Sequence, residues 1–270
     1  MALPNDPETR SLAALGDLRT CLALAAEMDD VRVIENADPH LEIGALYELS
    51  LADEHPPILL FDNIKGYPKG YRVAVNMRSS KVFDTGATGL ELVQSYRKHR
   101  RAKSEPIPPK TVTSGPVLEN KQEGAAIDAF AFPAPHWHEG DGGRYIGTEC
   151  MVIVRDPDSD WINCGTYRVM IHDKKTLIVF IEHGKHGDVI RRKYWAQGKP
   201  CPMVVSVGQA PVLGAVAAST PGPGLSEFAV AGSRLGRPIE LIQGKHTGIP
   251  FPADSEIVFE GFMQIGRAHV

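Results

Sequence analysis

Between Trp161 and Glu227 the chain carries an amide, an imidazole and a carboxylate that could serve one ligand: Asn163, His186 and Glu227. They lie in Asn163-Cys-Gly-Thr-Tyr-Arg168, in Glu182-His-Gly-Lys-His186-Gly and in Ser226-Glu227, and the small-residue loop Ser219-Thr-Pro-Gly-Pro-Gly224 precedes the last. Hard divalent cations such as Mg²⁺ and Mn²⁺ take mostly oxygen ligands and often share them with a phosphate, so this set suits a joint metal and phosphate site better than a zinc site. Spacing alone does not select it. Asn163 could equally bond its own backbone at a strand end, His186 could be a satisfied structural histidine, and Glu227 could be a first-turn glutamate favoured by the helix dipole. Ser219-Thr220-Pro221 is either a surface loop or, ahead of a helix N-terminus, a set of donors for an anion. Arg168 is either a surface strand residue or a guanidinium that grips a carboxylate through two hydrogen bonds.

Other candidate groups read as structural. His136-Trp-His138-Glu139 contains a His-x-His pair, but no second ligand pair is close in sequence, and Pro133, Pro135, Gly140 and Gly142 mark it as a loop. The four cysteines, 21, 150, 164 and 201, form no CxxC pair and no disulfide framework, which favours a reducing compartment and makes Cys164 a small buried thiol. Arg191-Arg-Lys193 is expected on a solvated helix face.

The elements that must position these residues change in type along the chain. Leu18, Cys21, Leu22, Ala25 and Met28 recur at helical spacing, Val31-Arg-Val-Ile34 reads as a strand, and Leu41 to Leu49 returns to helix. Pro57 to Phe61 and Tyr71 to Val75 are strand-like, and Thr88 to His99 has a helical pattern, so the first hundred residues suggest a small α/β layer. The charged, proline-bearing stretch Arg100 to Thr111 reads as a linker. From Glu149 onward the pattern is a meander: strands over Met151–Val154, Trp161–Ile171, Thr176–Ile181, Met203–Val207, Ile239–Ile242 and Ile257–Phe259. A helix over Gly187–Gln197 is closed by Gly198, and Ser226 caps a short helix reaching Gly232. The whole predicts an antiparallel, barrel-like β domain with inserted helices.

A chain of 270 residues with 43% hydrophobic residues can bury one large core or two smaller ones. A net charge of −4 and a pI near 6.2 imply no bulk attraction to nucleic acid or an anionic membrane. The N-terminus lacks a basic region followed by an apolar stretch, and no apolar run approaches the roughly 18 residues that span a bilayer, so a cytoplasmic protein is expected.

Taken together, Asn163-x4-Arg168, His186, Ser219-Thr220-Pro221 and Glu227-Phe-Ala-Val-Ala-Gly232 resemble the cofactor-binding signature of the UbiD family of reversible decarboxylases, which use prenylated flavin mononucleotide. Asp141-Gly-Gly-Arg-Tyr-Ile146 and Glu256-Ile-Val-Phe-Glu-Gly261 also resemble family segments, and the likeness runs from about Leu15 to Phe262. The resemblance implies an α+β fold, with an N-terminal α/β domain and linker over 1–110 and a flavin-reductase-like split β-barrel over 111–263. It implies Asn163, His186 and Glu227 as ligands of Mn²⁺ or Mg²⁺, with K⁺ as a further candidate ion. Thr166, Tyr167, Arg168, Lys185, Ser219, Thr220 and Pro221 would join them around prenylated FMN, and Arg168 matches the arginine of the family's catalytic Arg-Glu-Glu network. It further implies an aromatic or α,β-unsaturated carboxylic acid substrate, a flavin prenyltransferase as cofactor supplier, and a homo-oligomer.

One departure stands out. The family's two catalytic glutamates are expected on a Pro-Glu-Gly-Pro-Phe-Gly-Glu-like segment after Gly261, whereas this chain runs Gln264-Ile-Gly-Arg-Ala-His-Val270. Ile265 to Val270 is also what one frame of a common sequencing-library adapter encodes, so 264–270 is set aside as an expected artefact. On that expectation the chain is an incomplete decarboxylase with little or no turnover of its own. The alternative is a non-catalytic flavin- or metal-binding fragment or pseudoenzyme; an ordinary FMN reductase leaves the Asn/His/Glu pattern unexplained.

Overall fold

A computed structural model describes residues 13–77, 82, 90, 94 and 105–266. The helix predicted over 88–99, the first part of the predicted linker and the last four residues lie outside the described set, apart from Leu90 and Gln94, which are helical. The fold is mixed α+β, and the chain divides into two compact units: one from the first 105 residues together with Phe130–Arg144, the other from Pro106–Ala129 with the remainder after Arg144.

In the first unit, helix α1 (Leu18–Glu27) is capped by Asp17, whose carboxylate accepts from the Thr20 amide at 2.7 Å. It packs Cys21, Leu24 and Ala25 against Ile58. Strand β1 (Val31–Glu35) lies parallel to β2 (Ile58–Asp62), with helix α2 (Glu42–Ser50) between them in the chain, and β3 (Val73–Val75) adds an antiparallel edge. The strand predicted from Tyr71 begins only at Val73, because a turn at Lys69 and Gly70, closed by the Tyr71 N–H on the Pro68 carbonyl, precedes it. A second core joins Ile43, Phe61 and Ile64 with Trp137, from the returning segment. That segment is held by backbone bonds on both sides of His40: Leu41 N–H donates to the His136 carbonyl and His136 N–H to that of Pro39, each at 2.8 Å.

The second unit is built on a four-stranded sheet, β13-β10-β6-β7, where β6 is Met151–Arg155, β7 Ile162–Gly165, β10 Cys201–Val207 and β13 Ile257–Met263. Met151 to Val154 are all buried. An unbroken apolar run suits a strand covered on both faces, and helices α3 (His186–Ala196) and α4 (Pro211–Ala217) both pack on β6. Val152, Val154, Ile190, Met203 and Val205 form the principal core. Two three-stranded sheets flank it: β4 (Lys110–Val112), β11 (Glu240–Gln243) and β12 (Pro250–Pro252), in the order β12-β11-β4, and β5 (Arg144–Gly147), β8 (Arg168–Ile171) and β9 (Leu177–Phe180), in the order β5-β8-β9. Among the described residues no sheet closes on itself into a barrel.

Two local expectations change, and one helix was not anticipated. The strand predicted over Trp161–Ile171 is two strands in different sheets, because the chain bends sharply at Thr166: a Cβ on Gly165 would stand 2.5 Å from the Tyr167 ring. The end of the predicted linker is strand β4, whose backbone pairs in parallel with β11 from Glu240↔Lys110 onward. Helix α4, short and almost wholly apolar, carries no 3.6-residue pattern to separate it from a strand; proline at its start sets the helix. All four cysteines are free and buried, as expected for Cys164.

The packing of the returning segment against α2 gives a direct check. A Cβ on Gly44 would stand 2.0 Å from the Trp137 carbonyl oxygen. Gly44→Ala is expected to cost about 3 kcal/mol, the upper part of the range for overpacking, seen as a lowered denaturation midpoint. An unchanged midpoint would remove Trp137 from this contact.

Candidate functional site

Helix α5 (Glu227–Leu235) starts where Ser226 accepts the Phe228 amide at 3.3 Å, and it ends at Gly236 in the left-handed conformation. Its first residue points into the core. Glu227 is 1% exposed and lies beside β7: Asn163 Nδ2 donates to Oε1 and the Cys164 backbone N–H to Oε2, both at 2.9 Å. Burial pushes the Glu227 carboxyl up, and the Cys164 and Glu227 backbone amides and the Asn163 side chain only partly offset this, leaving a pKa of about 7. Asn163 is itself 2% exposed, and with its nitrogen committed to Glu227 its Oδ1 is buried without a hydrogen-bond partner. An orphaned buried amide oxygen beside a carboxylate that meets only neutral donors is a donor set for a hard cation.

His186 opens α3, and its ring meets the edge of Trp161 with centroids 5.0 Å apart and planes at 72°. Tyr167 sits behind it: its hydroxyl accepts the Gly187 N–H at 3.2 Å, and its ring fills the space where side chains at Gly165 and Gly187 would stand. Burial raises the Tyr167 pKa above its ordinary value, so it remains a neutral phenol. An open cleft of about 490 Å³ runs alongside, walled by Trp161, Ile162, Gly224, Ser226 and Phe228.

The structure therefore joins Asn163 to Glu227 and Tyr167 to the turn that bears His186. The other predicted site residues stand apart. Arg168 opens β8, exposed, with no hydrogen bond or ion pair to its guanidinium among the described residues. Lys185 is exposed, 3.8 Å from Glu182, and Thr166 is half-buried in the bend after β7. Ser219 donates its hydroxyl to the Val216 carbonyl at 2.8 Å, closing α4. Thr220 follows with φ of 49°, a left-handed geometry uncommon for a β-branched residue, and Pro221 continues the loop.

Two residues of this neighbourhood were not anticipated. Trp161, two positions before Asn163, shares its side of the chain and supplies the ring against His186; period-two spacing was the available signal. Asp188, two positions after His186, has a side chain 1% exposed. Its carboxylate accepts from the Gly184 N–H at 3.0 Å and from Arg191 and Arg192 at 2.7–3.1 Å, and meets His183 Nδ1 at 3.0 Å. Burial alone would raise its pKa, but the Gly184 amide and the two guanidiniums outweigh it and hold the carboxyl well below the usual carboxylate range. Arg191 and Arg192 are thus partners of Asp188 rather than a plain solvated face.

The remaining candidates take structural positions. His136 and His40 face each other through Nδ1 at 3.2 Å, and His138 meets Glu48 at 2.8 Å. Among the described residues no group of three or more His, Cys, Asp or Glu could hold a metal ion, so the His-x-His loop has no further ligand of those types. Glu260 accepts from the backbone of Lys245, His246 and Thr247, closing that loop. Burial pushes the Cys150 thiol up to about 12 and the Cys164 thiol well above its ordinary value, so neither is a thiolate. No helix among the described residues is long and apolar enough to cross a membrane.

Comparison with known proteins identifies the family. Residues 110–269 match the UbiD family's 3-octaprenyl-4-hydroxybenzoate carboxy-lyase Rift-related domain, and residues 22–82 its N-terminal domain. Pyrrole-2-carboxylic acid decarboxylase of Pseudomonas aeruginosa is 34% identical over 253 residues, covering 88% of this chain and 50% of the relative. Ferulic acid decarboxylase 1 of Saccharomyces cerevisiae is 28% identical over 280 residues, covering 97% and 55%. Among solved structures, the closed form of Sedimentibacter hydroxybenzoicus vanillic acid decarboxylase superposes with a TM-score of 0.83 at 26% identity, covering 92% of this chain and 54% of that one. An evolved dimeric form of the UbiD-class enzyme HmfF from Pelotomaculum thermopropionicum, in complex with prenylated FMN, gives 0.78 at 27% identity, covering 92% and 57%. The chain spans about half the length of the curated relatives it matches.

The buried carboxylate sets a pH test. Folded Glu227 keeps its proton to about pH 7, against an ordinary value of 4.5, so between those values the folded state binds more protons than the unfolded. Its contribution to stability is fully present below the lower value and is lost as pH rises through the higher, by up to about 3 kcal/mol. Denaturant midpoints of metal-free protein from about pH 5 to about pH 8 are expected to fall relative to Glu227→Gln, which cannot titrate. Parallel curves for the two proteins would show that Glu227 is ionised throughout.

Proposed function

Because this chain belongs to the UbiD family, we propose that the whole protein is a reversible, non-oxidative decarboxylase of aromatic or α,β-unsaturated carboxylic acids, dependent on prenylated FMN and on Mn²⁺ or Mg²⁺. The observation that carries the reading is the buried Asn163–Glu227 pair with the bare Asn163 Oδ1. In this reading Asn163, Glu227 and His186 would hold the divalent ion, which would supply positive charge for the cofactor phosphate, and K⁺ is a second candidate ion. Ser219, Thr220 and Pro221, leading into α5, line the phosphate end, with Thr166, Tyr167 and Lys185 along the cofactor. The second unit is read as a split barrel of the flavin-reductase type. A flavin prenyltransferase supplies the cofactor, and the whole protein is read as a homo-oligomer.

When bound, the prenylated flavin supplies the electron sink for loss of CO₂. The protein's share is positioning. Arg168, permanently charged and without a competing partner among the described residues, grips the substrate carboxylate or orients a catalytic acid. Tyr167, neutral and fixed through Gly187, keeps the His186 turn in place. The cleft wall of Trp161, Ile162 and Phe228 offers apolar surface to a planar ring, with Ser159, Asp160 and Ser226 as polar lining.

Reconstitution with prenylated FMN and Mn²⁺, followed by CO₂ release from a panel of aromatic, heteroaromatic and cinnamic-type acids, tests the reading. In the whole protein, Arg168→Ala is expected to lower kcat/KM by about 100-fold or more while cofactor stays bound. Asn163→Ala, His186→Ala and Glu227→Ala are expected to lose metal and flavin together. Retention of both in all three variants would sink the site assignment; cofactor and metal binding without CO₂ release from any acid would favour a non-catalytic binding protein.

A further inference from the structure

His186 stands at a place where an imidazole is hard to hold still. It is the first residue of α3, and the residue before it, Lys185, makes no side-chain cap bond and is exposed. Gly184 has φ of 82°, with nothing within 4 Å of where a Cβ would stand, so this loop is shaped by backbone geometry rather than by packing. Helices usually fix such an end with Ser, Thr, Asp or Asn at the cap position. Here the cap is plain, and the restraint comes from inside the helix.

That restraint is Asp188, the third helical residue. In the common capping arrangement an acidic side chain at this position reaches back to the cap amide. Asp188 reaches one residue further, to the Gly184 N–H at 3.0 Å, and so spans His186 from two positions after it to two positions before. The span is stiffened at both ends. Arg191 Nε and Nη2 hold Oδ1 at 2.9 and 2.7 Å, and Arg192 Nε lies 3.1 and 3.0 Å from the two oxygens. Arg191 is itself seated over the Trp195 ring, 5.1 Å from its centroid, and its Nη2 reaches the Ile181 carbonyl at 3.4 Å, where the loop begins. With Gly187 tied to the Tyr167 hydroxyl and the His186 ring against Trp161, the backbone is held on both sides of the imidazole. Closing a short exposed loop does not by itself require a nearly fully buried carboxylate with two guanidiniums. The effect of this carboxylate is to fix the backbone that carries the His186 imidazole, and the partners behind a ligand set its direction.

We propose that Asp188 is a positioning residue for His186, setting the direction of its imidazole toward the metal through the Gly184–Asp188 staple. The proposal rests on reading His186 as a metal ligand, and the experiment separates the two. Mn²⁺ is titrated into the metal-free whole protein in the presence of FMN. Bound ion is followed by loss of the aqueous Mn²⁺ signal in electron paramagnetic resonance, imidazole nitrogen coupling to Mn²⁺ by pulsed measurements, and folding by the denaturation midpoint. Asp188→Asn keeps the size of the side chain but turns a donor against the Gly184 amide or a guanidinium. The expected result is about a tenfold or greater loss of Mn²⁺ affinity with weakened imidazole coupling in a folded protein. Wild-type affinity and coupling in folded Asp188→Asn overturn the proposal. If that variant does not fold, Arg192→Gln, whose native side chain is 58% exposed, decides: a few-fold loss with altered coupling supports the staple, and no change overturns it. If the unaltered protein binds no Mn²⁺, or His186→Ala binds it as well as wild type, the metal reading itself falls and the proposal with it.

Discussion

The burial of the Glu227 carboxylate is the constraint on which the site depends. A carboxylate taken out of water must be paired, hydrogen-bonded or protonated. Glu227 is answered only by neutral donors, the Asn163 amide and the Cys164 backbone, at the start of a helix whose N-terminal dipole also favours negative charge. These donors are too few to restore an ordinary acidity, so the position stays short of positive charge. Both donors belong to β7, and β7 is fixed by pairing with β6, whose apolar residues are covered on both sides. The principal core of the second unit thus determines where Asn163 and Glu227 meet.

Two deeply buried carboxylates in this unit show how environment divides labour. Asp188 and Glu227 are each 1% exposed in side chain or residue, yet their acidities move in opposite directions. Asp188 faces two guanidiniums and a backbone amide, so its charge is fully balanced and it serves as a fixed tether. Glu227 is met only by neutral donors, the Asn163 amide and the Cys164 N–H, so no described side chain balances its charge. The general rule is that paired titratable groups pushed apart by their environments take different tasks.

Much of the architecture was legible from residue order. Helix periodicity placed α1 and α2, the apolar run Met151–Val154 marked the central strand, and Ser226 followed by Glu227 marked the start of α5. The candidate site was legible in part: resemblance selected Asn163, His186 and Glu227 where spacing left several roles open, and the structure brings Asn163 and Glu227 into contact. Trp161 and Asp188 went unread because an aromatic before a strand and an acid in a first helical turn are common for purely local reasons. The split of Trp161–Ile171 went unread because the bend depends on the Tyr167 ring filling the space beside Gly165, a contact that no local propensity encodes.

By itself, then, the order of residues determined what depends on near neighbours: which segments are helical or extended, where Ser226 caps a helix, and which side chains have cation-binding chemistry. It also carried the family likeness. Only the tertiary structure decided what depends on residues distant in the chain. The Asn163 nitrogen meets a carboxylate 64 positions away, which leaves its oxygen bare, and Lys110–Val112 becomes a strand by pairing with Glu240–Ile242. The physical reason is that desolvation and hydrogen-bond satisfaction are properties of a packed interior, settled by every group that encloses a polar atom rather than by the residues beside it in sequence.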